Sequence, residues 1–452
     1  MDNWSPLPRP RCSLLMALSA KRVSLIFLGC PKNFIDSEAI LANLLKGGWE
    51  LVKEVEKAEI AILTTCAFIK RARKEAKEKI RELISLKKKG KIKKIIVFGC
   101  LVQAMPEELP KRFPGVDYFI GLDYIPDISN ILSQGFSERI IYKKQPTYLS
   151  FERWVQTPSY AYLKISEGCS NFCAYCRIPY LRGTYRSRPI EEILKEAKEI
   201  GRMGIKEIIL VSQDSTLYGT DLYSTPSLHH LLKRLAEIKE IEWLRLLYTH
   251  PAHIYPELLD VIKSEPKVLK YIDLPLQHIS NKILLAMKRG YLRKDAERII
   301  DQLREIPEMV IRTTFIVGFP GESEKDFSLL LDFIQEKRFD HIGCFTYSRE
   351  KGTAAYSLPQ QIPYRIKKKR EKILMLCQRE ISRQKLKALI GKEIPVLIDC
   401  KKRDFYIGRT FRSCPEIDGY VLIKDKELKI GNIYPMRIFA ASAYDLYASR
   451  SS

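Results

Sequence analysis

Long apolar runs are missing from this chain. No segment of the 452 residues reaches the roughly 18 consecutive apolar positions a membrane-crossing helix needs, so no membrane partner is expected. The first 20 residues, MDNWSPLPRPRCSLLMALSA, lack both the clean charged start and the long apolar centre of a secretory signal. Residues 1–20 read instead as a disordered extension, or as a start assigned too early, with Met16 as the first residue. A disulfide framework is missing too: eleven cysteines, an odd number in a long chain, are expected as reduced thiols in a cytoplasmic protein. Acids are in deficit, 54 against 77 lysines and arginines, and the net +23 favours polyanionic partners such as RNA or a ribosomal surface without naming a fold. What is present is globular, since 46% hydrophobic and 10% aromatic residues exclude a disordered or fibrous chain. At roughly 150 residues per domain, the length predicts about three domains.

The positive charge is gathered in two stretches. Residues 70–94 carry thirteen basic and three acidic side chains and residues 365–387 carry ten and two, which accounts for eighteen of the net charges. Both read as helices, with Ile80, Leu83 and Ile84 in the first and Ile373, Leu376 and Ile381 in the second spaced for one buried face. A solvated helix face explains such a run as simply as contact with nucleic acid does.

From Val23 the chain alternates strand runs with helical ones: VSLIFLGC, SEAILANLLKGG, AEIAILTTC, the basic helix, KKIIVFGC. The alternation predicts an N-terminal open parallel α/β sheet domain over residues 21–137. Its three strand runs end on Cys30, Cys66 and Cys100, and ligands of open parallel sheets lie outside the carboxyl ends of strands, so the fold brings three thiols to one edge. One such cysteine is usually a small buried hydrophobe. Three at one topological position call for another explanation. A linker is expected over 138–154. Across 155–385 six strand runs (AYLKISEGC, KEIILVSQD, EWLRLLYTH, YIDLPLQH, VIRTTFIVGF and HIGCFTYS) recur with helices between them, predicting a central partial (β/α)6 barrel with its chemistry at the carboxyl ends. Over 386–452 the runs VLIDC, DFYIGRT, GYVLIKD and PMRIFAA, broken by Gly391, Gly408, Gly419 and Gly431, predict a small antiparallel β-barrel.

The sharpest motif follows the first strand of the central region, where Cys169, Cys173 and Cys176 stand as C-x3-C-x2-C in CSNFCAYC. Three thiolates on one tight loop can hold three irons of a cubane and leave the fourth open to a substrate or cofactor. A structural zinc wants four closed ligands, and no second cysteine pair follows; on spacing alone zinc and an inert thiol loop both stay open. Gly318, Phe319, Pro320, Gly321 and Glu322 follow the fifth strand, where glycine either lets backbone approach a ligand or simply makes a turn. Gln213, Asp214, Gln277 and His278 also lie at strand ends, and His278 is as readily a satisfied core histidine as a catalytic one. Cys12, Cys344, Cys377, Cys400 and Cys414 fit no ligand position.

The CSNFCAYC segment resembles the radical S-adenosylmethionine enzymes. The segments FLGCPKNFIDSE, CRIPYLRGTYRSRP, LVSQDSTLYGTDLY, YIDLPLQH, IRTTFIVGFPGE and FTYSREKGT are similar to those of the methylthiotransferases, and within these to the ribosomal-protein (RimO-type) branch, from about Lys21 to the end of the chain. The resemblance implies that Cys169, Cys173 and Cys176 bind a radical-generating 4Fe-4S cluster whose open iron holds S-adenosyl-L-methionine, with Tyr175 at the position that contacts the adenine. It implies that Cys30, Cys66 and Cys100 bind a second, auxiliary 4Fe-4S cluster where sulfur is held, and that Gly318, Gly321 and Glu322 belong to the cofactor site.

The implied reaction adds a methylthio group to the β carbon of an aspartate in small-subunit ribosomal protein twelve, with hydrogen removed by a 5'-deoxyadenosyl radical and methyl drawn from a second S-adenosylmethionine. No acid-base residue is assigned, because such a C–H is barely acidic and the cofactor carries the reactivity. An electron donor such as flavodoxin or ferredoxin is implied, and the C-terminal barrel resembles a TRAM domain that holds the substrate, although RSCPEIDGYV, with Cys414, departs from the more acidic sequence common there. Two alternatives share part of the pattern. A tRNA adenosine 2-methylthiotransferase usually reads differently at GCPKN and QDST; a non-catalytic, metal-containing RNA-binding protein leaves six cysteines at two sets of strand ends unexplained. With both cysteine sets upstream, removal of residues 388–452 is expected to abolish turnover and spare cofactor cleavage.

Overall fold

The structure, a computed structural model, describes residues 21–135, 137–149, 152–425 and 427–450; Cys12 and the expected extension 1–20 lie outside the described residues. The chain forms two compact units. One comprises the chain through Gln156 with Glu167–Ser170 and Cys176–Arg186; the other comprises Thr157–Ser166, Asn171–Tyr175 and the chain from Ser187.

In the first unit six parallel strands lie in the order β2-β1-β3-β4-β5-β6, namely β1 (Arg22–Phe27), β2 (Glu50–Leu51), β3 (Ile60–Thr65), β4 (Lys94–Gly99), β5 (Tyr118–Ile120) and β6 (Ile140–Ile141). Every residue of β3 is buried, as a central parallel strand with helices on both faces must be. The basic helix Lys70–Lys88 buries only Ala76, Ile80 and Leu83, so its charges face outward. The stretch expected as a linker instead belongs to this unit. It supplies β6, and beyond it Glu38 takes the Arg153 guanidinium and the backbone N–H groups of Trp154 and Gln156. Polar anchors on a helix 115 residues upstream have no local periodicity to announce them.

The second unit has a six-stranded, wholly parallel sheet in the order β14-β13-β12-β11-β10-β7. It is built from β7 (Tyr160–Lys164), β10 (Glu207–Val211), β11 (Trp243–Leu246), β12 (Val268–Asp273), β13 (Val310–Val317) and β14 (His341–Thr346). Two-residue strands β8 (Ser166–Glu167) and β9 (Arg186–Ser187) flank the cysteine loop. A closed barrel follows: β15 (Glu393–Lys402), β16 (Phe405–Arg409), β17 (Val421–Ile423), β18 (Ile433–Ala441) and β19 (Leu446–Arg450). It has one strand more than the four runs read from sequence, and the β17–β19 pairing that closes it is parallel while the others are antiparallel.

The loop between β16 and β17 docks this barrel onto the amino ends of the parallel strands. Arg409 is fully buried, bonded to Glu207 at 2.8 Å and to Asp399 at 2.6 Å. Glu207 also takes Arg245 at 2.7 Å, and Arg245 donates to the Phe411 carbonyl. Asp418 accepts the Tyr271 hydroxyl at 2.7 Å and lies 3.4 Å from Arg312. The barrel is thus part of this unit's charged core, and it stands at the end of the sheet opposite the cysteine loop.

The helix Tyr364–Lys387 corrects the expected apolar face. Its buried residues are Lys367, Arg370, Leu374, Gln378, Ile381 and Ser382, while Ile373 and Leu376 are 37% and 53% exposed. The inward stripe is mostly polar because it meets polar partners: Lys367 donates to the Tyr347 carbonyl, Arg370 to Glu322 and Gln378 to the Phe339 carbonyl. Among the described residues no helix is long and apolar enough to cross a membrane.

Candidate functional site

Cys30 caps the helix Pro31–Lys46, Cys66 directly follows β3 and Cys100 directly follows β4, so the three stand at the carboxyl ends of neighbouring strands. Asn33 Oδ1 lies 3.4 Å from the Cys30 sulfur and 3.9 Å from that of Cys100. Burial, then the neighbouring Cys30 and Cys100, push the Cys66 thiol up to about 12. Three gathered thiols are a donor set for a metal centre, which binds cysteine as thiolate.

Beside them Arg182, fully buried, donates to Asn33 Oδ1 and the Tyr148 hydroxyl at 2.8 Å, to Glu167 at 2.9 Å and to Asp36 at 3.0 Å. Burial raises the Cys100 thiol and the Arg182 charge opposes that rise. The next residue, Gly183, accepts the backbone N–H of Cys169 at 3.1 Å. One turn therefore reaches both thiol sets. Gly168, with φ +79°, makes that approach possible, since a Cβ there would lie 2.0 Å from the Thr184 carbonyl oxygen. Cys176 Sγ accepts the Ile178 N–H at 3.4 Å.

The middle of the loop, Asn171–Tyr175, belongs to the second unit. Arg289, also buried, points one guanidinium nitrogen to Cys173 Sγ at 3.3 Å and to the Tyr175 hydroxyl at 3.4 Å, and donates to the Pro275 carbonyl at 2.8 Å. Asn171 donates to Asp214 at 2.7 Å, and the backbone of Ala174 pairs with Met287 and Ala355. Tyr175 packs on a cluster that includes Ala174, Phe319 and Tyr347, which puts it beside the 318–322 segment.

Gly318 has φ +73°, and a Cβ on it would come 2.3 Å from Lys367. Glu322 turns inward: it takes the N–H groups of Gly318 and Phe319 and the Arg370 guanidinium. Burial raises it to about 7 against the pull of Arg370. Its side chain ties the turn to the helix Tyr364–Lys387.

Asp214 is the hub of the β10 end, accepting from Asn171, Thr216 and, at 2.8 Å, His253 Nδ1. Burial would raise its carboxyl, but the bond from His253, the nearby His250 and His253 rings and the bond from Thr216 hold it down to about 2. His278 is fully buried, its Nδ1 accepts the N–H groups of Ile279 and Ser280, and burial holds it to about 3. Gln277 adopts φ +69°, and Phe172 and Tyr248 adopt +47° and +59°, left-handed backbone in three loops beyond strand ends. Arg182, Tyr148, His250, His253 and Arg289 were not singled out from sequence. His250 ends the run EWLRLLYTH and the strand-end rule alone would have found it; no local signal marks the two arginines.

The Radical SAM superfamily matches residues 163–334, the uncharacterized protein family UPF0004 residues 22–121 and the TRAM domain residues 390–450. The chain is 44% identical over 432 residues to the ribosomal protein uS12 methylthiotransferase RimO of Thermoanaerobacter sp. (strain X514), covering 94% of this chain and 99% of that one. It is 43% identical over 441 residues to the protein of the same name from Geobacter sulfurreducens, covering 95% and 99%. Among solved structures it is similar in fold to the radical S-adenosylmethionine methyltransferase TsrM from Kitasatospora setae, with TM-score 0.55 and 14% identity over 74% of each chain.

Proposed function

The chain belongs to the RimO family of ribosomal protein uS12 methylthiotransferases, radical S-adenosylmethionine enzymes, and from that premise we propose that it methylthiolates the β carbon of an aspartate of uS12. The observation that carries the reading is the turn at Arg182 and Gly183, which reaches Asn33 beside one thiol set and the Cys169 backbone in the other. The donor chemistry fits two 4Fe-4S clusters, with Cys30, Cys66 and Cys100 as ligands of one and Cys169, Cys173 and Cys176 as ligands of the other. Bound there, the clusters and S-adenosylmethionine supply the one-electron cleavage that takes hydrogen from the aspartate and the sulfur that replaces it. Arg289 holds a buried guanidinium against the Cys173 sulfur, and Asp214 pins the loop through Asn171. Tyr175 and the backbone of Gly318 and Gly321 line the side where the nucleoside would lie. The electron donor would be a flavodoxin or ferredoxin, in the cytoplasm.

The test offers uS12 and unmodified tRNA separately to the anaerobically reconstituted protein and follows methylthio mass on each. Mass on uS12 at one aspartate is the expected result. Mass on tRNA alone would overturn the substrate and keep the chemistry.

A further inference from the structure

The helix Lys70–Lys88 and the residues after it, to 94, carry thirteen basic and three acidic side chains, and no part of the proposed chemistry draws on them. The charges are sorted by side. At about 100° per residue, Lys70, Arg73, Lys77, Arg81 and Lys88 fall on one flank of the buried stripe Ala76, Ile80 and Leu83, and Glu75, Glu78 and Glu82 fall on the other. Two of those acids are met by lysines outside the row: Glu78 lies 3.7 Å from Lys74 and Glu82 lies 2.7 Å from Lys79. A second element adds to the row. The short helix Glu108–Arg112 brings the Arg112 guanidinium to 6.0 Å from the Phe113 ring centroid, and Arg81 stands 5.9 Å from the same ring. Among the described residues Lys77, Arg81 and Arg112 make no ion pair, while Arg73 donates to the Ala67 carbonyl at 3.1 Å.

Like charges four residues apart weaken a helix, and a solvated face is at least as stable with its signs mixed. Burial lowers the Lys77 ammonium, and the charges of Arg112, Arg73 and Arg81 lower it further against the pull of Glu108. Folding alone therefore gives no reason for the row. Its members 73, 77 and 81 stand about 6 Å apart along the axis, and the stretch from 70 to 88 spans about 27 Å. An evenly spaced line of cations suits a polyanion whose charges also repeat along a line, and arginine adds the planar donor pairs that fit phosphate. An acidic protein surface has no such repeat. The row starts four residues after Cys66, at the sheet edge that carries the three thiols of this unit, and the helix runs from there back along the sheet. We infer that this row is a track for the phosphodiester backbone of ribosomal RNA, so that the chain meets uS12 within the small subunit and is held by the RNA around it. The inference rests on the function proposed above, which supplies uS12 as the target.

The test uses the full-length, anaerobically reconstituted protein and measures binding to small subunits lacking the modification, to protein-free small-subunit ribosomal RNA and to polyglutamate. One variant combines Lys77→Gln, Arg81→Gln and Arg112→Gln; a second removes the same charge elsewhere in the unit through Lys46→Gln, Lys53→Gln and Lys57→Gln, all exposed. In about 0.15 M salt the first variant is expected to bind both RNA probes roughly ten- to a hundredfold more weakly, with the slope of log affinity against log salt reduced by about 2, and the second to match the wild type. Methylthiolation of free uS12 is expected to be equal in all three proteins, and the first variant to melt no lower than the wild type, because its row no longer repels itself. Equal losses in both variants, or a clearly lowered melting midpoint in the first, overturn the track. Polyglutamate bound as tightly as RNA and lost in the first variant overturns RNA in favour of an acidic protein. Wild-type protein that binds small subunits but leaves uS12 unmodified, free or assembled, overturns the function beneath the track, a separate result because binding is read without turnover.

Discussion

Arg182 has four hydrogen-bond partners drawn from positions 33, 36, 148 and 167, and its meaning comes from residues up to 149 apart in the chain. Replacing it with methionine strands two buried carboxylates, Asp36 and Glu167, at a cost of about 3–5 kcal/mol. Arg182→Met is expected to melt well below the wild type and to retain about four rather than about eight irons after anaerobic reconstitution, read by iron analysis. Full iron and an unchanged melting midpoint would count against the role. Asp214 gives a pH signature. Its folded value of about 2 lies below the ordinary 3.8, so the unfolded chain binds its proton first; the resulting stability, about 2 kcal/mol, is complete above pH 4 and drains away as pH falls towards 2. Asp214→Asn should flatten that limb of the apoprotein's melting-midpoint profile. The cysteines were legible because their spacing and strand-end positions are local facts. The two arginines and the histidine pair were not, because what defines them is which distant atoms they meet.

At the scale of elements, alternation of apolar runs placed every long strand of both parallel sheets, since a parallel strand buried on two faces writes its hydrophobicity continuously into sequence. Short pieces were missed: β2 and β6 are two residues each and β5 is three, too brief for any period. The helix Tyr364–Lys387 shows the complementary failure. Its inward stripe holds a lysine, an arginine and a glutamine, so a search for apolar spacing picked Ile373 and Leu376, which face solvent. β19 was overlooked because LYASR offers only two apolar inward positions, Leu446 and Ala448, and its parallel pairing with β17 has no hairpin turn to advertise it.

For the molecule as a whole, the C-terminal barrel changes one expectation. Deleting residues 388–452 would leave Glu207, Arg245 and Arg312 without the buried partners Arg409, Phe411 and Asp418. The truncated chain is therefore expected to lose the second unit's fold and with it S-adenosylmethionine cleavage, seen as an absent melting transition and no 5'-deoxyadenosine. The point variant Arg409→Met, which leaves Glu207 facing Arg245 alone, should lower the melting midpoint without removing the barrel. Persistent cleavage by the truncated protein would restore the modular view. Between Glu167 and Arg186 the backbone changes unit four times, at 170, 175 and 186 and at the start of the stretch. The apolar core of the first unit is nearly complete by Tyr148, whereas Glu167–Ser170 and Cys176–Arg186 join the unit later in the chain. Arg182, the partner of Asn33, Asp36 and Glu167, is made only after Cys169, Cys173 and Cys176, so this buried polar network is completed only once the cysteine loop has been translated.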